Sequence, residues 1–153
     1  MVKKEAALEK VPLFSHLNKR WVKGLASICT ERLFKPGETL MRQGEEGIGL
    51  FIIVSGSVKV VKTDPLGQTV EIAKNGPGDV MGELAVIDGY LRTADVVAEE
   101  KTTCLCLTSW EFNAFMKAHP EVATEILPIV VKRFRETNAS LMALREAKKR
   151  LQH

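Results

Sequence analysis

The sequence has no long hydrophobic run. Its apolar stretches fall well short of the roughly 18 residues that a membrane-spanning helix needs. The N-terminus reads Met-Val-Lys-Lys-Glu-Ala-Ala and lacks the apolar core of a signal peptide. We therefore expect a protein without a membrane partner, and a cytoplasmic location.

Cysteine is scarce, and three cysteines, an odd number, do not make a disulfide framework. Cys104 and Cys106 alternate along one face of a predicted strand, and Cys29 lies in a predicted amphipathic helix. No pair of histidines or cysteines stands near them in the sequence to complete a set of metal ligands. Burial as small apolar side chains is therefore favoured over metal binding.

A strong charge of one sign is also missing. The net charge is only +3, and lysine and arginine do not cluster on one face as in most nucleic-acid-binding proteins. The basic run at 148–150 is typical of a helix C-terminus, where the helix dipole favours cations. We expect no nucleic-acid partner within this chain. Its 153 residues, 45% hydrophobic and 27% charged, are ordinary for one folded domain.

The stretch from Val80 to Val96 has the chemistry of a phosphate-binding loop. Gly82 can adopt backbone angles that other residues avoid, and Glu83 to Ile87 have the length of one helical turn. The first N–H groups of such a turn lack partners within the helix and can bind a compact anion. Arg92 adds a guanidinium and Thr93 a hydroxyl. Glu83 would repel a phosphate, so we expect it to bind a sugar hydroxyl attached to that phosphate.

The residues on either side predict a mainly β protein with flanking helices. Residues 1–29 are helical with a break at Pro12, and Asn18 is a suitable N-cap for the second helix. Residues 30–107 alternate short apolar strands with Gly- and Pro-containing turns, which indicates an antiparallel β jelly roll. Residues 108–153 are helical again and open with the capping box Thr108-Ser-Trp-Glu111.

A long C-terminal helix is predicted from Pro120 towards Leu151, with a bend near Thr124 or Glu125 because Pro128 lacks an N–H group. Seven residues along it, five of them apolar, alternate spacings of four and three, which is a heptad seam. Such a helix is too long to rest on one small barrel, and we expect a homodimer through it. The seam consists of Val130, Phe134, Thr137, Leu141, Leu144, Lys148 and Leu151.

The loop resembles the phosphate-binding cassette of the cyclic nucleotide-binding domain family, in which Gly-Glu, a short apolar helix and Arg-Ser/Thr/Ala-Ala follow one another. The corresponding residues are Gly82, Glu83, Leu84, Ala85, Arg92, Thr93 and Ala94. The resemblance extends over roughly residues 12 to 140, and the remaining matches are glycine turns. It implies that Glu83 binds the ribose 2′-hydroxyl, that Arg92 pairs with the cyclic phosphate, and that cassette N–H groups complete the site.

The resemblance also implies that a ligand moves the C-terminal helix, and that Thr137 and Asn138 on this helix contact the base. An equally weighted alternative is that Thr137 fills a seam position and Asn138 is solvated. Thr93 is compatible with cyclic GMP, whereas Thr137 and Asn138 favour adenine. We favour cyclic AMP over cyclic GMP, and expect no cofactor.

Three function classes compete. The first is a cyclic nucleotide-binding regulatory module without a catalytic step. The second is a metal enzyme with a jelly roll of the cupin type, which needs histidines inside the barrel. His16, His119 and His153 all lie outside the predicted strands, so this class is set aside. The third is a degenerate domain that serves only as a dimerisation or interaction unit. Intact Glu83, Arg92 and Thr93 favour the first class over the third.

Overall fold

The structure, a computed structural model, describes residues 3–44, 49–88 and 93–152. The strands are β1 Thr30–Phe34, β2 Thr39–Met41, β3 Gly49–Ser55, β4 Val58–Thr63, β5 Thr69–Asn75, β6 Val80–Met81, β7 Asp95–Ala98 and β8 Thr102–Thr108. The helices are α1 Lys4–Glu9, the 3₁₀ turn Pro12–Phe14, α2 Lys19–Ile28, α3 Ala85–Asp88, α4 Ser109–Ala118 and α5 Pro120–Leu151.

The strands form two four-stranded sheets that together make a jelly roll. The first sheet has the order β1-β8-β3-β6 and the second the order β2-β7-β4-β5. Each pairing among the described strands is antiparallel. The predicted fold class, an antiparallel β jelly roll with N-terminal helices and a long C-terminal helix, is confirmed.

Strand β3 has both of its faces buried. Phe51 and Ile53 point into an apolar cluster between the two sheets, whereas Leu50 and Ile52 point into a second cluster under the helices. This explains why the sequence of β3 is continuously apolar instead of alternating, since a strand covered on both sides has no solvent face. Its neighbour β8 follows the same pattern, because Phe51 is paired with Cys106 and Ile53 with Cys104.

The helices from both ends of the chain form one layer over the outer face of the first sheet. Helix α2 packs against α1 and α4, and α5 starts beside the 3₁₀ turn. The sequence divides the chain at residues 29 and 107, and the structure brings the helices of the first and third segments together. Gly24 makes this possible, because a Cβ at this position would lie 2.7 Å from Phe115 Cζ.

The predicted helix starts agree with the structure. The Asn18 side chain accepts a hydrogen bond of 3.0 Å from the Arg20 N–H. At the start of α4, the Thr108 hydroxyl accepts a hydrogen bond of 3.2 Å from the Glu111 N–H and donates one of 2.8 Å to the Glu111 carboxylate. Both helix starts are set by residues next to them in the sequence.

Three details differ from the expectations. The cassette helix begins at Ala85 instead of Glu83, because Gly82 turns the chain with φ of +75° and Glu83 still belongs to that turn. Cys29 lies just beyond the end of α2, in extended backbone. Helix α5 continues through Pro128. The bend at Pro128 stays a prediction.

None of the helices in the described part of the chain is both long and apolar enough to cross a membrane.

Candidate functional site

The cassette follows the first sheet directly. Strand β6 pairs with β3, Gly82 then reverses the chain, and α3 makes a single turn. The first bonds of helical type run from the Val86 N–H to the Gly82 carbonyl, 3.2 Å, and from the Ile87 N–H to the Leu84 carbonyl, 3.1 Å. The N–H groups of residues 83–85 precede these bonds and are not used by the helix itself. The backbone of this segment is therefore suited to receive an anion.

Helix α3 is fixed to the helical layer at two places. Val86 is completely buried in the cluster under the helices. The Asn113 side-chain amide, from α4, donates a hydrogen bond of 3.1 Å to the Ile87 carbonyl. The position of the cassette is thus set by packing against α4 as well as by its strand.

Glu83 connects the cassette to the 3₁₀ turn and to α5, and its side chain is only 10% exposed. Its Oε2 accepts a hydrogen bond of 3.2 Å from the Leu13 N–H in the 3₁₀ turn. Its Oε1 forms an ion pair with Arg133 of α5. We call this set of contacts the Glu83 junction. Two donors hold the carboxylate in place, and the cation compensates its charge.

Arg133 is the site residue that sequence reasoning missed. It extends the face with which α5 docks onto the domain, following Val122, Ile126 and Val130 at helical spacing. A cation at the end of an apolar docking face needs an acidic partner. The position of Arg133 in this helical spacing was therefore the sequence signal that could have identified it as a site residue. Farther towards the N-terminus of α5, Glu125 accepts a hydrogen bond of 3.3 Å from the Asn18 N–H. Two charged residues therefore fix this helix to the domain.

The second half of the cassette is described only in part. Arg92, the predicted phosphate partner, lies outside the described residues. Thr93 is exposed and Ala94 is buried, and both stand directly before β7.

Asp95 is held at the end of β2. Its Oδ1 accepts a hydrogen bond of 2.6 Å from the Gln43 N–H. The Gln43 side chain in turn bonds both backbone groups of Thr63, at 2.9 and 3.0 Å. Asp95 is thus part of a link between β2, β4 and β7.

Thr137 and Asn138 are both exposed on α5. The Thr137 hydroxyl donates a hydrogen bond of 2.9 Å to the Arg133 carbonyl, one turn earlier in the same helix. Thr137 therefore lies about 6 Å along the helix from the residue that pairs with Glu83. The structure does not bring either side chain into a contact with the cassette within the described residues, and their role in base binding stays a prediction.

The three cysteines are free and buried, as expected from the sequence. Burial raises the pKa of the Cys29 and Cys106 thiols to about 12 and that of Cys104 to about 11. Thiols that stay protonated are poor nucleophiles and poor metal ligands. In the described ranges, no three His, Cys, Asp or Glu side chains come together as a metal site.

The comparisons with known proteins agree with this geometry. The model of the family described as "Cyclic nucleotide-binding domain" matches residues 31–119. The chain therefore belongs to the cyclic nucleotide-binding domain family. The Cyclic AMP receptor protein of Thermus thermophilus is 32% identical over 142 residues, which make up 92% of this chain and 66% of that protein.

Solved structures support the same assignment. The N-terminal domain of a transcriptional regulator from Streptomyces coelicolor A3(2) is 32% identical, with a TM-score of 0.80 over 88% of this chain and 94% of that one. The regulatory subunit of a cAMP-independent protein kinase A from Trypanosoma brucei is 30% identical, with a TM-score of 0.68 over 88% of this chain and 46% of that one. The chain spans 66% of the Thermus relative, 50% of a related regulator from Mycobacterium tuberculosis, and between about a fifth and a third of other curated relatives that it matches.

Proposed function

We propose that this protein is a regulatory module that binds cyclic AMP and transmits binding through its C-terminal helix, with no catalytic step of its own. The observation that carries the proposal is the Glu83 junction, in which the cassette carboxylate is paired with Arg133 of α5. A ligand that contacts Glu83 would alter the surroundings of a residue on which the docking of this helix depends. We place the module in the cytoplasm.

The proposed ligand contacts follow from the chemistry of each group. Arg92 and the N–H groups of residues 83–85 bind the cyclic phosphate, with Thr93 as a further donor. Glu83 accepts a hydrogen bond from the ribose 2′-hydroxyl. A carboxylate has about four lone-pair positions, so the contacts to Leu13 and Arg133 leave room for this bond. Thr137 and Asn138 contact the base.

The proposed signal is a change in how α5 docks. A ligand shifts a conformational equilibrium only if it binds two states with different affinity. Arg133 pairs with Glu83, which makes the position of α5 sensitive to what Glu83 binds. Pro128 lies five residues earlier in the same helix and removes one hydrogen bond there. We propose that α5 moves at this point.

We propose a homodimer through the distal half of α5. Phe134, Leu141 and Leu144 of the seam are 65%, 53% and 67% exposed in the single chain. Apolar residues at heptad spacing bury such surface most simply against a second copy of the same helix. No nucleic-acid contact is proposed within this chain.

The base preference is the least constrained part of the proposal. One relative is named a cyclic AMP receptor protein, whereas the kinase regulatory subunit is called cAMP-independent. The same fold therefore does not by itself fix the ligand. Cyclic GMP is the second candidate, because Thr93 resembles the hydroxyl residues that favour cyclic GMP in some members of the family.

Calorimetric titration with cyclic AMP and cyclic GMP in parallel tests the proposal, with Arg92→Ala as the site variant. Removing the partner of a desolvated phosphate costs about 2 to 5 kcal/mol, which abolishes micromolar binding. Arg42→Ala, an exposed arginine at the end of β2, is the matched control and should bind normally. If folded wild-type protein binds neither nucleotide, the chain is a degenerate domain whose function is interaction.

A further inference from the structure

Asn113 joins the cassette to the helix that leads into α5. Its side-chain amide donates two hydrogen bonds, one of 3.1 Å to the Ile87 carbonyl in α3 and one of 2.9 Å to the Ser109 carbonyl in α4. The two segments that it connects lie 26 residues apart in sequence. The amide is partly buried, so solvent competes for these bonds less than it would at an exposed site.

A one-turn helix needs such a partner. The four residues of α3 are too few to satisfy their own carbonyl groups, and the carbonyls at the end of a helix depend on outside donors. Asn113 supplies a donor to one of them. Because the same amide also bonds the first residue of α4, a shift of α3 relative to α4 strains or breaks at least one of the two bonds.

The position of Asn113 along α4 is itself well fixed. The Thr108–Glu111 cap sets where α4 begins. The preceding residue, Phe112, is completely buried and its ring lies 5.7 Å from that of Phe14. Asn113 is thus presented to the cassette from a rigid support, which is the arrangement that precise positioning requires.

We propose that Asn113 is a positioning residue for nucleotide binding, holding the end of α3 against α4 so that the cassette and the C-terminal helices respond to the ligand together. The affinity part of this inference rests on the proposed function. The side chains of Asn18 and Thr108 also form hydrogen bonds at helix starts, but the partner of each side chain lies within three positions of it in the sequence. Asn113 is different because it connects the binding segment to the responding one.

The experiment combines hydrogen exchange on the free protein with nucleotide titration. Asn113→Leu keeps the size of the side chain and removes its donors, and Asn113→Asp keeps the shape and replaces the donors by a carboxylate facing two carbonyl oxygens. We expect the amides of Val86 and Ile87 to exchange about 5 to 10 times faster in both variants, and cyclic nucleotide to bind more weakly by a similar factor. Asn18→Ala, which removes a cap without touching the cassette, should change neither quantity.

The outcomes separate this inference from the proposed function. Unchanged exchange at Val86 and Ile87 in folded Asn113→Asp protein would overturn it, because the amide would then not hold α3. Faster exchange combined with unchanged affinity would overturn the positioning role. If wild-type protein binds no nucleotide, the proposed function fails, while exchange in the free protein still decides whether Asn113 holds the cassette.

Discussion

The Glu83 carboxylate is largely removed from water, because nine-tenths of its side chain is buried. Burying a carboxylate costs free energy unless it is paired and hydrogen-bonded. The Leu13 N–H donates a hydrogen bond to one of its oxygens, and the Arg133 guanidinium pairs with the other. These two partners also fix the direction of the carboxylate. The residues that compensate the burial of Glu83 are therefore the ones that connect it to the N-terminal and C-terminal helices.

Replacing Arg133 by alanine should destabilise the domain. The change leaves Glu83 buried with only its hydrogen bond to Leu13, and we expect a loss of about 1 to 2 kcal/mol in the free energy of unfolding, measured by urea denaturation. This figure is lower than for a fully buried pair because Arg133 is 40% exposed. Arg135→Ala, an exposed arginine two residues later, is the control. Equal effects of the two substitutions would mean that the ion pair contributes no stability.

The buried thiols should make stability fall in alkaline solution. Their pKa is raised from 9.0 to about 11 or 12, so the unfolded chain loses these protons before the folded one does. The contribution of these thiols to the free energy of unfolding is therefore present below pH 9 and is lost progressively as the pH rises towards 11. Each thiol should contribute a loss of about 1 kcal/mol between pH 8 and pH 10. Urea denaturation at both pH values measures it, and Cys106→Ala should show a smaller decline than wild type.

At the scale of elements, local signals were sufficient to predict most of the fold. The strands and the caps at Asn18 and Thr108 are determined by residues within a few positions of each other, and the structure agrees with them. Strand β6 has no comparable local signal, because its two residues form a strand only through pairing with β3. The start of α3 was placed two residues early, since the turn at Gly82 includes Glu83.

The candidate site could be predicted only where its chemistry is local. Gly82 and Glu83 follow one another in the sequence, and their roles could be inferred together. Arg133 and Asn113 are 50 and 30 residues away from Glu83, and nothing near them in the sequence indicates which partner they meet. Contacts of this range depend on how the helices pack, which periodicity alone does not determine.

The close packing of α2 and α4 predicts a strong effect at Gly24. A Cβ there would lie 2.7 and 2.8 Å from two atoms of the Phe115 ring, so Gly24→Ala should destabilise the domain by about 1 to 3 kcal/mol despite the better helix propensity of alanine. Thermal or urea unfolding of the variant and the wild type measures this loss of stability. Adding Phe115→Leu to Gly24→Ala should recover part of the loss. A Gly24→Ala protein as stable as wild type would show that the ring moves freely.

At the scale of the whole molecule, the exposed seam of α5 predicts self-association. Leu141→Glu combined with Leu144→Glu places two charges in the proposed helix pair, and we expect the variant to be monomeric in analytical ultracentrifugation where wild type is a dimer. Met142→Glu is the matched control, since Met142 is 57% exposed and lies between the two seam positions on another face. A wild-type protein that is monomeric at high concentration would contradict the proposed dimer.

Strands β3 and β8 contribute side chains to both apolar clusters, since Leu50 and Leu105 lie under the helices and Phe51 and Cys104 between the sheets. Neither cluster can lose its packing without disturbing a strand on which the other depends. The domain should consequently melt in one cooperative transition, with no intermediate that keeps the jelly roll but loses the helices. A ligand that binds only the cassette would then raise the melting temperature of the entire domain.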